Sequence, residues 1–336
     1  MAPVGSQDYT RIFGERRNLA GLRPYVHRNE KRSGGSMNLL RICGAGVLGL
    51  WVAGAAFSAS GPQDFQRSLR QLTTNPAVDY FPSWSPDGQS IVFSSSREGQ
   101  DLWVVPSAGG EAMRLTSVSA NHPRWSPEGS FIAFDADRGT SLMIVRPEGG
   151  VPVKIATPSL SISRGAFGMW SSDGTKLTFS ATGEIWSIDL PSGELQQIFA
   201  REGFFARAFS YSPDGRWLTA DADIDDRKTE DDVWLIPVDG GEPRRLTDRP
   251  GREGNPVFSP DGSMIAYMGT DEAGRSLWVT TVEGDRHIRL TSYEGFNANP
   301  RWSPDGASLA FASDRGGSID IWVMELDLDA LRAALE

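Results

Sequence analysis

The stretch "NPRWSPDGASLAF", residues 299–311, places a Trp-Ser-Pro-Asp-Gly segment directly before an alternating apolar run. Along the 336-residue chain the segment recurs intact or with one residue changed, and its copies end at Gly88, Gly129, Gly174, Gly215, Gly262 and Gly306. Successive glycines are separated by 41, 45, 41, 47 and 44 residues. A repeat of about 40 to 45 residues is typical of propeller blades, so the spacing predicts six blades.

The residue types of this segment predict a tight turn between two strands. Proline, present in most copies, presets φ at about −65°, and aspartate can accept a hydrogen bond from the backbone two residues on. The closing glycine tolerates a positive φ because it has no Cβ. Six uses of one segment in the same way indicate a role in folding rather than in chemistry.

The residues after each turn read as the rest of a blade. Two β-prone runs follow, for example "SLAFA" at 308–312 and "DIWVM" at 320–324. Most repeats then show a glycine-containing turn and a fourth run, such as "RRLT" at 244–247. We therefore predict an all-β fold, a six-bladed β-propeller of four-stranded antiparallel blades across residues 68–327.

The repeated "WSPDG", "IWV" and "GGEPRRLT" resemble the TolB-type propeller, whose repeats also occur in the propeller domain of prolyl oligopeptidase family enzymes. The resemblance covers about residues 68–327 and implies the fold described above. It also implies a periplasmic protein that contacts envelope proteins. Propellers host unrelated activities, so function has to be argued from a site. Between Ser60 and the first repeat there is no room for the additional N-terminal domain of TolB, so the partner is left open.

A count of fourth strands predicts how the ring closes. The sixth repeat ends in "LDALRAALE", which is helix-prone and lacks the glycine turn and the Leu-Thr ending. The unused run "SLRQLT" at 68–73 carries that ending, so we predict that it pairs with residues 319–325 as the outer strand of the sixth blade. In the alternative, residues 328–335 form that strand. We expect the tail 328–336 to be removable at little cost in stability.

The N-terminal sixty residues differ from the repeats. Residues 1–36 are basic and are expected to be a disordered or untranslated leader. Residues 37–60 contain 16 uncharged residues, 42–57, followed by small side chains, which is the pattern of a cleaved secretory signal that begins at Met37. A retained membrane anchor is the main alternative, and an intracellular protein is another. Signal and anchor both place the propeller outside the cytoplasm, behind a linker at 61–67.

Charge and cysteine content argue against several kinds of partner and site. Residues 1–60 carry eight Lys and Arg against three Asp and Glu, whereas the remainder carries 25 against 40. The propeller is therefore acidic and repels a phosphate backbone, so no nucleic-acid partner is expected. Cys43 is the only cysteine, which excludes an internal disulfide and a cysteine-based zinc site. Nine of the eleven tryptophans recur at two repeat positions and are expected to wedge between neighbouring blades.

The chain offers little recognisable catalytic chemistry. Its three histidines are His27, His122 and His287, and it contains no G-x-S-x-G nucleophile elbow. The hydrolase domain that accompanies this propeller in the prolyl oligopeptidase family has no counterpart in the sequence. We therefore predict that the protein is not an enzyme and has no catalytic residue and no cofactor. The alternative is a hydrolase or lyase at the channel mouth that uses His122 with a metal or with carboxylates.

An acidic stretch, "DADIDDRKTEDD" at 221–232, lies between the second and third strands of the fourth repeat. We interpret it as a solvated loop. Asp221, Asp223 and Asp225 alternate and could present oxygens to Ca²⁺, but Asp226 stands where a helix-loop-helix calcium loop needs glycine. A calcium site is therefore the weaker interpretation, and a basic partner is a third.

The mouth of the central channel is the predicted binding surface. The strand before each turn is innermost in a propeller, so residues two to five positions ahead of each motif aromatic should gather near the axis. The candidates are Tyr80, Phe81, Asn121, His122, Arg164, Phe167, Arg207, Arg252, Asn255, Asn297 and Asn299, of which Arg164 and Arg252 lie six positions ahead. Several differ between repeats, as a binding surface requires, although ordinary loop variation gives the same pattern.

Together these expectations describe an exported, non-catalytic, TolB-like binding module of the cell envelope. It would contact an envelope protein or peptide through the channel mouth, and only its N-terminal segment would meet the membrane. We expect a monomer. A further alternative is a sensory ectodomain anchored by residues 42–57.

Overall fold

The computed structural model describes residues 65–137, 139–155, 168–181, 184–201, 204–224, 231–272 and 274–336. The predicted leader 1–36, the predicted signal or anchor 37–60 and most of the linker 61–67 lie outside these residues. Within the described ranges, no helix has the length and apolar character needed to cross a membrane.

The described residues form six four-stranded antiparallel sheets, which confirms the predicted six-bladed propeller. In blades one to five, consecutive strands run from the innermost to the outermost position. Blades one and two comprise β2 (Asp79–Trp84), β3 (Ser90–Ser95), β4 (Asp101–Pro106), β5 (Met113–Arg114), β6 (Ala120–Trp125), β7 (Ile132–Ala136), β8 (Ser141–Val145) and β9 (Val153–Lys154). Blade three comprises β10 (Met169–Trp170), β11 (Lys176–Ala181), β12 (Glu184–Asp189) and β13 (Leu195–Phe199).

The second half of the chain completes the ring in the same way. Blades four and five comprise β14 (Phe204–Tyr211), β15 (Trp217–Ile224), β16 (Asp232–Pro237), β17 (Arg244–Arg245), β18 (Glu253–Phe258), β19 (Met264–Asp271), β20 (Gly274–Thr281) and β21 (His287–Arg289). Blade six comprises β22 (Asn297–Trp302), β23 (Ser308–Ser313), β24 (Asp320–Leu326) and, as its outer strand, β1 (Gln66–Gln71). Helix α1 (Leu328–Leu335) follows.

The repeated turn is held by the hydrogen bonds that its sequence predicts. In the first copy the Asp87 carboxylate accepts bonds from the Gln89 backbone N–H at 3.0 Å and from the Ser85 hydroxyl at 2.5 Å. The Gly88 N–H donates to the Ser85 carbonyl at 2.9 Å. The six closing glycines have φ between 71° and 80°, where a Cβ would be strained. These contacts explain the motif as a turn.

A threonine after the fourth strand ties that strand to the third. Its Oγ1 accepts a hydrogen bond from a third-strand backbone N–H at 2.9 to 3.0 Å, in the pairs Thr116 with Leu102, Thr247 with Val233 and Thr291 with Leu277. Thr73 accepts the same bond from Ile321 at 3.0 Å. The residue after β1 therefore occupies the place of a fourth-strand threonine.

The two ends of the propeller close the ring as predicted. β1 pairs antiparallel with β24, with Leu69 opposite Met324 and Gln71 opposite Trp322. The Leu72 N–H extends this ladder by donating to the Ile321 carbonyl at 2.8 Å. The outer strand of blade six is thus supplied by the start of the propeller.

The C-terminal tail forms helix α1 instead of a strand and packs on the core. Asp327 caps the helix by accepting a hydrogen bond from the Ala330 N–H at 3.1 Å. Leu331 and Leu335 are buried in the same apolar cluster as Phe65. The expectation that residues 328–336 could be removed at little cost is therefore wrong, because these leucines bury apolar surface.

Motif tryptophans bridge neighbouring blades and hold the channel wall. Trp84 Nε1 donates to the Arg301 carbonyl at 3.1 Å, and Trp170 Nε1 donates to the Arg124 carbonyl at 3.0 Å. Each bond runs from one blade to the preceding one around the ring. Since both acceptors belong to inner strands, these tryptophans fix the backbone that lines the channel.

Candidate functional site

A β-bulge interrupts the innermost strand in each of the five blades where that strand is described beyond two residues. In each bulge two residues of the inner strand face one residue of the second strand. The bulged pairs are Phe81 with Pro82, His122 with Pro123, Arg207 with Ala208, Asn255 with Pro256, and Asn299 with Pro300. Proline fits a bulge because its missing N–H takes no part in the ladder. Inner strands surround the channel, so the bulges re-aim side chains beside it.

Four bulge residues adopt the left-handed backbone region, with φ between 52° and 57°: Phe81, His122, Asn255 and Asn299. Each precedes a proline, and a residue other than glycine is uncommon in this conformation, especially a bulky aromatic. Residues held in sparsely populated backbone regions cluster at functional sites. We call these four residues the channel ring.

Neighbouring members of the channel ring contact each other. The rings of Phe81 and His122 lie 3.9 Å apart, centroid to centroid. Asn299 Nδ2 donates to Asn255 Oδ1 at 2.9 Å. The four residues come from blades five, six, one and two, which are consecutive around the ring. The structure therefore brings together four of the residues predicted to line the mouth.

His122 is the member of the channel ring whose side chain can accept and release a proton near neutral pH. Its Nδ1 lies 2.5 Å from Asp135 Oδ1, on the neighbouring strand β7. Burial lowers the pKa of His122 below its ordinary 6.5, although the hydrogen bond to Asp135 acts in the opposite direction. The imidazole is therefore neutral at pH 7, and with Asp135 as acceptor its proton sits on Nδ1. In this tautomer Nε2 is the nitrogen that accepts a proton.

Two arginines lie in the inner strands of blades two and six. Arg124 and Arg301 are 5% and 7% exposed, and each donates from Nη1 to the carbonyl of the preceding proline at 2.7 Å. Burial lowers the pKa of Arg301 to about 10 and that of Arg124 well below its ordinary value. Within the part of the chain that the structure describes, neither guanidinium forms an ion pair.

Two other predicted mouth residues belong to a cluster of ion pairs. Arg207 is paired with Asp231 and lies 3.6 Å from Asp221 Oδ2, and Arg252 Nη2 lies 2.5 Å from Asp231 Oδ2. Asp221 is buried within β15, so this end of the predicted loop 221–232 is strand instead. The Asp223 side chain and Asp225 lie outside the described residues. Asp221 is thus bound to arginine, which weakens its assignment as a calcium ligand.

The remaining predicted mouth residues have different surroundings. Tyr80 is partly exposed, with its ring centroid 5.7 Å from those of Phe81 and Phe296. Asn121 Oδ1 accepts a hydrogen bond from Gln100 Nε2 at 2.9 Å. Arg164 and Phe167 lie outside the described residues.

Asn297 does not line the mouth, contrary to prediction. It is fully buried, and its Oδ1 accepts hydrogen bonds from the Ser313 hydroxyl at 3.0 Å and from Arg315 Nη2 at 2.6 Å. Its Nδ2 donates to the Arg275 carbonyl at 2.8 Å. Asn297 precedes the bulge at Asn299 and Pro300, and its bond to Arg275 ties blade six to blade five.

Sequence reasoning missed Asp135, Arg124 and Arg301. Asp135 could have been found from hairpin pairing, because the turn 125–129 places it beside His122 on the next strand. The two arginines stand directly before a motif tryptophan, in only two of the six repeats. That position lies one residue ahead of the motif aromatic, outside the spacing of two to five residues that predicts the channel mouth.

Comparison with known proteins agrees with the fold. A family model described as the TolB beta propeller domain matches residues 227–334. The solved structure of TolB from Acinetobacter baumannii has a TM-score of 0.52 at 19% identity, and the match covers 75% of this chain and 64% of that chain. The chain folds as a six-bladed β-propeller that resembles the TolB propeller domain over residues 227–334.

Two sequence relatives share part of this TolB-like propeller. "Uncharacterized peptidase YuxL" of Bacillus subtilis is 27% identical over 201 residues, which is 58% of this chain and 23% of YuxL. "Uncharacterized protein Atu1656" of Agrobacterium fabrum is 26% identical over 217 residues, which is 61% of this chain and 70% of Atu1656. The match thus spans less than a quarter of the relative that is named a peptidase.

Solved structures of the same fold include enzymes. An oligogalacturonate lyase from Vibrio parahaemolyticus has a TM-score of 0.54 at 15% identity, covering 76% of this chain and 93% of that one. XC5397 from Xanthomonas campestris, described as a gluconolactonase, has a TM-score of 0.62 at 10% identity, covering 79% and 91%. At these identities the likeness shows a shared fold.

The prediction that the protein is not an enzyme is corrected by these comparisons, because one relative is named a peptidase and similar propellers are named a lyase and a gluconolactonase. The physical reason is that a propeller can assemble reactive groups from separate strands and blades. Such groups share no local motif, so the lack of a nucleophile elbow was weak evidence.

Proposed function

We propose that this TolB-like propeller is a hydrolase or lyase whose general base is His122 at the channel. The observation that carries the proposal is the 2.5 Å contact between Nδ1 of the partly buried His122, on a strained bulge, and Oδ1 of the buried Asp135. A carboxylate that binds Nδ1 fixes the tautomer and the orientation of the imidazole, and stabilises the imidazolium that forms when Nε2 takes a proton.

Both reaction classes use the same step. In hydrolysis Nε2 accepts a proton from the attacking water, and in elimination it accepts one from a carbon beside a carbonyl group. The neutral state of His122 suits either role, because a base must be unprotonated at working pH. Phe81 lies against one side of the imidazole and keeps that side apolar.

The proposal can be tested on substrates taken from the names of the compared proteins: peptides, lactones and oligogalacturonate. We expect turnover of one class by the wild type and a loss of at least about 100-fold in His122→Gln, the usual size of a general-base effect. Asp135→Asn should also lower turnover. Glu111→Gln, at an exposed site in blade one, is the control. Turnover that survives in His122→Gln would contradict the proposal.

We also infer a location outside the cytoplasm, supported by the apolar run 42–57 and the small residues that follow it. Mass spectrometry of the protein from its host should find a new N-terminus between residues 56 and 62 if the segment is a cleaved signal. An intact segment 38–55 on membranes would instead support the anchor, and an intact segment in the cytosol would contradict both.

A protein partner at the mouth is a second proposal, favoured by its aromatic residues. Tyr80, Phe81 and Phe296 are partly exposed and neighbour each other, and aromatic side chains are enriched where proteins bind each other. The triple change of these residues to alanine should abolish capture of an envelope protein or peptide. Unchanged capture would exclude the mouth as the docking surface.

A further inference from the structure

At one position of the inner strands, only two of the six blades carry a charged residue. The residue directly before the motif aromatic is uncharged in four blades, where it is Ser83, Met169, Ser210 and Val257. In blades two and six it is Arg124 and Arg301. These two blades flank blade one, so the two cations come from the inner strands on either side of it.

The inner strand of blade one connects the strands that carry the two arginines: Trp84 Nε1 donates to the Arg301 carbonyl at 3.1 Å, and the Trp125 N–H, beside Arg124, donates to Ser83 Oγ at 3.3 Å. The charge of Arg301 lowers the pKa of Arg124, and the charges of both arginines lower the pKa of His122. They form one positively charged site beside the proposed base.

This charge is not neutralised within the described residues. The Nε atoms of Arg124 and Arg301 are buried without a hydrogen-bond partner, and each Nη1 reaches only a proline carbonyl. The carboxylates that influence them are engaged elsewhere: Asp135 with His122 at 2.5 Å, and Asp221 with Arg207 at 3.6 Å. A buried cation without a counter-charge destabilises the fold unless an anion binds it.

We propose that Arg124 and Arg301 bind a carboxylate group of a ligand in the channel. A guanidinium group matches the planar carboxylate through two parallel N–H···O bonds. Phosphate fits less well here, since its second negative charge would be repelled by Asp135 and Asp221, whose charges reach Arg124 and Arg301 respectively. Where His122 acts as the base, the inference rests on the proposed function and identifies the substrate as an organic acid.

The binding test uses the full chain and small probes at constant ionic strength. Glutarate is the carboxylate probe, glutaramide is the uncharged control of similar shape, and inorganic phosphate tests general anion binding. We expect glutarate to bind measurably by calorimetry and to shift the Nε–H NMR signals of Arg124 and Arg301. Glutaramide should do neither. No shift with glutarate, or tighter binding of phosphate, would overturn the inference.

Variants separate the arginine site from the proposed base. Arg124→Met and Arg301→Met keep a long side chain without charge, and each should weaken glutarate binding at least about tenfold while the melting temperature stays equal or rises, because a buried charge is removed. His122→Gln should bind glutarate within about threefold of wild type. Equal glutarate binding by wild type and both methionine variants would overturn the inference. If the wild type turned over a neutral substrate but did not bind glutarate, the carboxylate site would be disproved. The proposed function would still stand.

Discussion

Thr73 Oγ1 accepts a hydrogen bond from the backbone N–H of Ile321, 248 residues further along the chain, at 3.0 Å. Thr116 Oγ1 accepts the equivalent bond from Leu102 within blade one, across only 14 residues. The bond between the chain ends therefore has the same geometry as a bond inside a continuous blade. In blade six, β1 takes the place that the fourth strand has in the other blades.

Because the two bonds are equivalent, loss of either threonine should cost similar stability. Only the loss of Thr73 should also loosen the pairing of the two chain ends. Thr73→Ala leaves the buried Ile321 N–H without an acceptor, and should lower the free energy of unfolding by about 1–3 kcal/mol. Thr116→Ala should cost about the same, as a matched control. Chemical denaturation measures both. In addition, hydrogen exchange should rise in β1 and β24 only for the Thr73 variant, and equal exchange in both variants would contradict a separate closing role.

Helix α1 should contribute to stability. Leu331 is fully buried, so Leu331→Ala should lower the free energy of unfolding by about 2–5 kcal/mol through lost burial and a cavity. Arg332→Ala removes an exposed ion pair with Asp261 and should change the free energy of unfolding by less than about 1 kcal/mol. Thermal unfolding distinguishes these results. Equal melting temperatures for the two variants would mean that the helix does not hold the core.

Glu253 should make stability depend on pH. It is 1% exposed at the start of β18, and burial raises its pKa from 4.5 to about 8. The folded state therefore holds a proton that the unfolded state releases near pH 4.5, so stability is full below that pH and falls as pH rises towards 8. The free energy of unfolding of Glu253→Gln should match that of the wild type near pH 4 and exceed it by about 3 kcal/mol at pH 9. A gain that is the same at both pH values would contradict this assignment.

The pKa of His122 should lie below the ordinary 6.5 of a histidine. Burial lowers its pKa below 6.5, whereas Asp135 raises it through the hydrogen bond and its charge. Asp135→Asn should therefore shift the His122 titration to lower pH, as measured by NMR of the imidazole signals. His287, which bonds Tyr267 in blade five, is the internal control and should not move. A higher pKa for His122 in this variant would contradict the proposed orientation.

The fold could be predicted because its determinants are local and repeated. The turn of Ser85, Asp87 and Gly88 uses hydrogen bonds within a few residues, and the Leu-Thr ending at 72–73 marks a missing fourth strand without reference to the structure. The buried face of α1 was missed, since a short helical tail gives no sign of what it packs against, and so was the extension of β15 to Ile224.

The site was only partly predictable because it is not repeated. The spacing from the motif selects His122 and Asn299, which lie in bulges of inner strands, but the spacing does not encode the bulges themselves. Asn297 was misplaced for that reason. The proposed carboxylate site combines Arg124 and Arg301, which are 177 positions apart and belong to different blades, so no single repeat contains it.

The closure by β1 also determines the order of folding. β1 is synthesised before the other strands and β24 after them, so the pair cannot form until the whole propeller has been made. Until then both strands present an open edge, which can pair with the wrong chain. Contacts of such long sequence separation form slowly, so the final step of folding should be the docking of β1 on blade six. The same step covers the outer edge of β24.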